Sequence, residues 1–324
     1  MTPSLLRPQG HVSCAEALKV SQLAPEILKS NPRVFPTSPL GSLFAAPETG
    51  DVWTVYENLL LSCLRTGDDK AAQDCLERIV VRFGEKDERV MALSGLVQEA
   101  KATNNNDLEK ILKEYEAILE ANDANVPIAK RRVALLRSMG KVSESIAALN
   151  TLLEFDTTDA EAWAELSDMY LSEGLYPQAI YALEEVLVLT PNAWNISARL
   201  GEVLLMAANT STDGAGQKYL AEALKRFARS IELCDDYLRG YYGLKLVSDK
   251  LLDVTSKGKK QTEADGFVAP DQKTTQKLNQ LATTKLAEIV RRYSAGEELW
   301  QGYEESEIAA ARELLSKASS EMVR

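Results

Sequence analysis

Apolar residues recur along most of this chain at steps of three and four, in blocks of helical length separated by Gly, Asn, Asp or Pro. That spacing puts them on one face of an α-helix, whereas a half-buried strand would alternate with a period of two. The pattern is cleanest between Trp163 and Pro191. Trp163, Leu166 and Tyr170 fall on one helical face, Gly174 interrupts the helix, and Ala179, Leu183 and Val186 open a second apolar stripe. Pro177 sits near the start of the second helix, where its missing N–H would have had no partner, and Pro191 closes the unit. The small Ala179 predicts a close approach of the second helix to the first.

The same positions recur at other places in the chain. Leu136, Gly140, Ile146, Leu149 and Leu152 stand where Tyr170, Gly174, Ile180, Leu183 and Val186 stand, and define a unit at 126–159. In its first helix Ala129 replaces Trp163 and Arg132 replaces Leu166. A copy at 53–86 carries Tyr56, Leu59, Gly67, Ala72, Leu76 and Ile79. Residues 87–125 fit through Leu93, Ile111, Tyr115 and Ile118 if the stretch 103–106 loops out. After the clean unit, 194–237 carries Leu200, Gly201, Leu204, Ala223, Phe227 and Ser230, with 209–218 read as a mobile loop because of Gly214 and Gly216. A further helix begins near Leu238 with Tyr241 and Leu244.

A period of roughly 34 residues with these positions is the tetratricopeptide signature. One such helix pair cannot bury its apolar face alone, so copies must stack. The expected fold is all-α, a right-handed solenoid of tetratricopeptide-type helix pairs with C-terminal capping helices. Four segments follow. Residues 1–50 form a leader that holds seven of the 11 prolines and is irregular apart from a candidate short helix within 13–30. The solenoid spans 51–254, a polar flexible linker with Lys257, Lys259 and Lys260 spans 255–274, and capping helices fill 275–324.

A net charge of −11 and a pI near 4.9 argue against a nucleic-acid partner, whose phosphates need a basic footprint. No apolar run is long enough for a transmembrane helix, so no direct membrane span is expected. The first ten residues lack the apolar region of a secretory signal. Lys130, Arg131 and Arg132 form the dense basic run of the repeat helices; it reads as a solvated helix face, with a docking patch for an acidic partner as the alternative. Cys14, Cys63, Cys75 and Cys234 lack metal-ligand spacing and are expected as reduced thiols, with Cys63 and Cys75 on facing helices.

Candidate chemistry is sparse. The single histidine, His11, lies in the leader, which removes Ser-His-Asp, Cys-His and imidazole-based zinc arrangements. Adjacent acids such as Glu184 and Glu185 point about 100° apart on a helix and do not converge as an acid/base pair. The chain is therefore expected to be no enzyme, with no catalytic residue, no metal and no cofactor.

Binding is the expected role. In stacked pairs the first helix lines a concave groove, which makes Lys130, Arg137, Glu161, Asp168, Asn195, Glu202 and Tyr242 the candidate partner-binding residues, with Ala134, Ala164, Leu171, Ala198 and Leu205 between them. That mixture suits an extended or helical polypeptide. A clamp for a terminal carboxylate, as in co-chaperones, fits poorly: Ala134 stands where an Asn should follow Lys130, and Glu165 and Asp168 would repel the ligand.

The run 51–57, Lys130-Arg131-Arg132-Val133-Ala134 before Gly140-Lys141, the stretch 159–166, Arg226-Phe227-Ala228 and the run 239–244 resemble the second subunit of the ER membrane protein complex, in a fungal-like form. The similarity covers 51 to about 250. The leader, 209–218 and 255–274 depart from the family's pattern. The resemblance implies a non-catalytic scaffold, peripheral on the cytoplasmic face of the endoplasmic reticulum. Its partners would be the membrane-spanning and cytosolic subunits of a complex that inserts transmembrane segments, including tail anchors. A soluble co-chaperone adaptor is the alternative.

Overall fold

The computed structural model describes residues 6, 13–30, 50–211, 215–256 and 271–322. Among them every regular element is helical, and the fold is all-α, built of tetratricopeptide helix pairs. The chain divides into two compact units, Met1–Phe155 and Asp156–Arg324.

In the first unit α1 (Cys14–Gln22) and α2 (Ala24–Ser30) pack on the pair α3 (Gly50–Thr66) and α4 (Asp69–Phe83). The pairs α5 (Glu88–Lys101) with α6 (Asn105–Ala121) and α7 (Val126–Ser138) with α8 (Val142–Phe155) follow. The stretch 13–30 becomes helical because Ser13 and Glu16 form a capping box, and it docks because Ala17, Val20 and Ala24 are buried. Arg78 on α4 donates to the Tyr56 hydroxyl and to the Leu28 carbonyl, both at 2.6 Å, and so joins α2, α3 and α4.

The turns are set locally. Asp68, Asp87, Asn104 and Asn125 each accept the N–H three residues on. Gly67 and Gly140 take φ of 76° and 74°, a left-handed conformation that strains any residue with a Cβ. The cap at Asn104 corrects one expectation. Of residues 103–106 only Thr103 and Asn104 stay in the turn: α6 begins at Asn105 and takes up the extra length as helix, 17 residues against 14 in α8. Cys63 and Cys75 are both buried in this unit's core, and burial above all pushes the Cys75 thiol up to about 12.

The second unit comprises α9 (Ala160–Ser172) with α10 (Tyr176–Leu189), α11 (Trp194–Thr210) with α12 (Ala215–Leu233), and α13 (Leu238–Ser256) with α14 (Gln272–Ser294). A 3-10 turn (Glu298–Trp300) and α15 (Glu305–Met322) close it. Leu166 and Ala179 are fully buried, Tyr170 packs partly buried on the core, and Gly174 turns the chain at φ 71°. Pro191 is exposed in the turn after α10. Trp163, on the same helical face as Leu166, does not follow it into the core. Its side chain is partly buried, with Nε1 donating to the Thr157 carbonyl at 3.0 Å and the ring edge-on to the exposed Tyr181. An indole that must satisfy its N–H settles at the rim of a core.

The expected loop at 209–218 is also revised. Helix α11 runs to Thr210 and α12 starts at Ala215, so helix takes up most of the insertion; residues 212–214 lie outside the described residues. Gly216 is helical, and a Cβ there would sit 3.2 Å from the Ala208 carbonyl oxygen of α11. Most of the expected linker (257–270) and of the leader (1–5, 7–12 and 31–49) lies outside the described residues. The capping helices are tied on by polar contacts. Lys245 is buried against Asp249, Asn279 of α14 donates to Ser248 and Asp249, and Arg239 pairs with Glu307 of α15 at 2.5 Å.

Candidate functional site

Each unit presents its own row of first-helix side chains. In the second unit the row runs over α9, α11 and α13. Glu161 and Asn195 are exposed near the starts of α9 and α11, and Tyr242 on α13 is half-buried against the core. Asp168 and Glu202 are joined through a residue that the groove expectation did not include. Arg199 donates from Nη2 to Asp168 and from Nη1 to Glu202, each at 3.0 Å. Burial opposes the Arg199 charge, but the two carboxylates more than offset it and raise its pKa. Ala198, expected in the groove, is instead inside the core, because α11 packs on both α10 and α12 there.

In the first unit the row runs over α3, α5 and α7. Lys130 is half-buried and Arg137 exposed on α7. The basic run beside them is not a solvated face. Arg131 forks onto Glu99 of α5 with Nε and Nη2, and the two side chains are only 25% and 13% exposed. Glu99 also accepts the Tyr115 hydroxyl of α6 at 2.6 Å, and burial first, then this hydrogen bond, drives that hydroxyl's pKa far up. Arg132 reaches Glu116 of α6 at 3.7 Å. The run therefore stitches α7 to the preceding pair. Beside Glu99 opens a pocket of about 510 Å³ walled by Leu61 and Leu64 of α3 and Leu96 and Ala100 of α5, with Arg65 at its edge.

These contacts share a signal that helical periodicity does not reveal. Glu57 with Arg89 and Glu99 with Arg131 are each 32 residues apart, and Asp168 with Arg199 is 31 apart. Each joins an acid on one first helix to an arginine on the next. A separation close to the repeat length brings such pairs side by side, so the ladder can be found by scanning for opposite charges at that offset. Among the described residues no cluster of three metal-ligating side chains occurs, and no helix is long and apolar enough to cross a membrane.

Residues 78–209, which include the Glu99–Arg131 and Asp168–Arg199 rungs, match a family model described as the EMC2 TPR-like repeat domain. The TPR repeat protein oca3 of Schizosaccharomyces pombe is 31% identical over 240 residues, which cover 72% of this chain and 82% of that protein. The chain belongs to the EMC2 TPR-like repeat family. Other relatives of this EMC2-family chain carry the name of the complex. ER membrane protein complex subunit 2-A of Xenopus laevis is 30% identical over 198 residues, 61% of this chain and 63% of that protein. The Saccharomyces cerevisiae subunit 2 is 28% identical over 213 residues, 62% of this chain and 71% of its own length.

Proposed function

We propose that the chain is a subunit of the ER membrane protein complex and serves it as a non-catalytic scaffold. One observation carries this: residues 78–209 match the EMC2 TPR-like repeat domain, with relatives in Xenopus and yeast that are named as that subunit. The chain lies peripherally on the cytoplasmic face of the endoplasmic reticulum. It holds cytosolic segments of membrane-spanning subunits, and a cytosolic subunit where the complex has one, on its first-helix rows. In this way it supports insertion of transmembrane segments, tail anchors included.

The chemistry of the rows supports a polypeptide ligand. The pocket beside Glu99 takes an apolar side chain, while Lys130 and Arg137 in one unit and Glu161, Asp168, Asn195 and Glu202 in the other offer polar contacts. A chaperone's terminal carboxylate, the ligand of an adaptor, finds Arg199 already held between two carboxylates.

The test is a tagged pull-down from detergent-solubilised membranes with cross-linking. Stoichiometric recovery of ER membrane subunits, cross-linked to α5, α7, α9 or α11, is the expected result. Recovery of soluble chaperones alone would overturn it. Arg137→Glu should weaken recovery without unfolding the chain, because exposed substitutions shift stability little.

A further inference from the structure

The second helices of the first unit carry a surface that the scaffold reading does not use. Between α4 and α6, across α5, lies a cavity of about 560 Å³. Its walls are mostly apolar, from Leu76, Val80 and Val81 of α4, Met91 of α5 and Ile118 of α6, interrupted by Gln73, Ser94 and Gln98. Gly95 of α5 and the Tyr115 ring packed against it also line the cavity; a Cβ at Gly95 would lie 2.2 Å from the Tyr115 hydroxyl. Val81 is 73% exposed at its edge.

The rim is charged with one sign. Glu77, Glu85 and Glu114 line the cavity, and no Lys or Arg lines it among the described residues. Glu77 receives only a 3.4 Å contact from Gln73, and Glu85 and Glu114 have no ion-pair partner among the described residues. A neutral or acidic segment laid here would strip water from three carboxylates and return nothing. A basic one would neutralise them while its apolar side chain fills the cavity.

We propose that this outer trough docks a segment of a partner protein in which one or two aliphatic side chains are flanked by Lys or Arg. The trough is separate from the first-helix row, so the chain can hold a second segment while that row is occupied.

The test uses the full chain and a fluorescein-labelled helical peptide of Leu and Lys, about 12 residues long to give three turns. Binding is read by fluorescence anisotropy. In Glu77→Lys/Glu85→Lys/Glu114→Lys it should weaken about tenfold, the sum of three exposed charge contacts. A control of equal net charge, Glu154→Lys/Glu173→Lys/Glu298→Lys, should bind nearly as the parent does. A peptide with Glu in place of Lys should not bind. Equal loss in both triple variants, binding of the acidic peptide, or no binding by the parent would each overturn the proposal. Thermal melts check that the variants fold. If the trough triple does not, the single exposed change Val81→Gln replaces it, with a loss of about threefold expected and an unchanged affinity overturning the proposal. None of these residues lies on the first-helix row, so failure here leaves the scaffold reading standing.

Discussion

In the pair α9/α10 the small residue at the helix crossing lies on the second helix. Ala179 is fully buried, and Ser167 on α9 closes the contact by donating to the Ala179 carbonyl at 2.9 Å. In the neighbouring pair α11/α12 the second helix again buries a small residue, Ala223, and the first helix goes smaller still. Gly201 stands one repeat beyond Ser167, and the second helix fills its space with Phe227. The ring is also held from the other side, because Gly243 of α13 comes so close that a Cβ would lie 2.1 Å from it. One pair thus reaches close approach by keeping both partners small, the other by trading a missing side chain for an aromatic one. What both pairs keep is a filled crossing, and the residue sizes that fill it are free to change.

If that is right, the two pairs should respond differently to change. Phe227→Ala should have the largest effect, about 3–5 kcal/mol, since it empties a site shared by three helices. Chemical denaturation reads this directly, and a loss below about 1 kcal/mol would break the comparison. Gly243→Ala should come next, destabilising by about 1–3 kcal/mol through overpacking even though Ala is the better helix former. Adding Phe227→Leu to that variant should relieve part of the clash, so the double-mutant cycle should show favourable coupling. Trp163→Ala in the other pair should cost less, about 1–2 kcal/mol, because its side chain is only partly removed from water. Asp168→Asn, which cuts the bridge from α9 to Arg199 on α11, should shift stability by less than about 1 kcal/mol, as half-exposed ion pairs do. The midpoint should then move hardly at all in high salt, where the parent's bridge is screened as well.

Much of this architecture was legible because its determinants are local. A turn glycine at 67, 140 or 174 and a cap at Asn125 or Asp159 act within a few residues, and helical periodicity records them. Insertions were harder. Comparison with a 34-residue pattern shows that 87–125 and 194–237 are too long, but not that α6, α11 and α12 take up the excess as helix. As a composition signal Gly216 points to a loop, but here the glycine is a response to the backbone of α11. Periodicity puts Trp163 on the apolar face with Leu166, whereas the need of its N–H for the Thr157 carbonyl holds it at the rim. By its own residues the basic run at 130–132 reads as a solvated face, whereas the carboxylates of Glu99 and Glu116 that engage Arg131 and Arg132 belong to other helices. Of the candidate binding residues, Asp168 and Glu202 are brought together, by an arginine that periodicity did not mark.

The guanidinium of Arg78 gives residues 13–30 a standing that their distance along the chain conceals. It grips the Leu28 carbonyl and the Tyr56 hydroxyl together, while Val20 and Ala24 are buried in the core of the same unit. A polypeptide severed between Ser30 and Gly50 would therefore remain one particle, its short fragment retained without a covalent link. The same fragment, supplied separately, would work as a complementation tag for the rest.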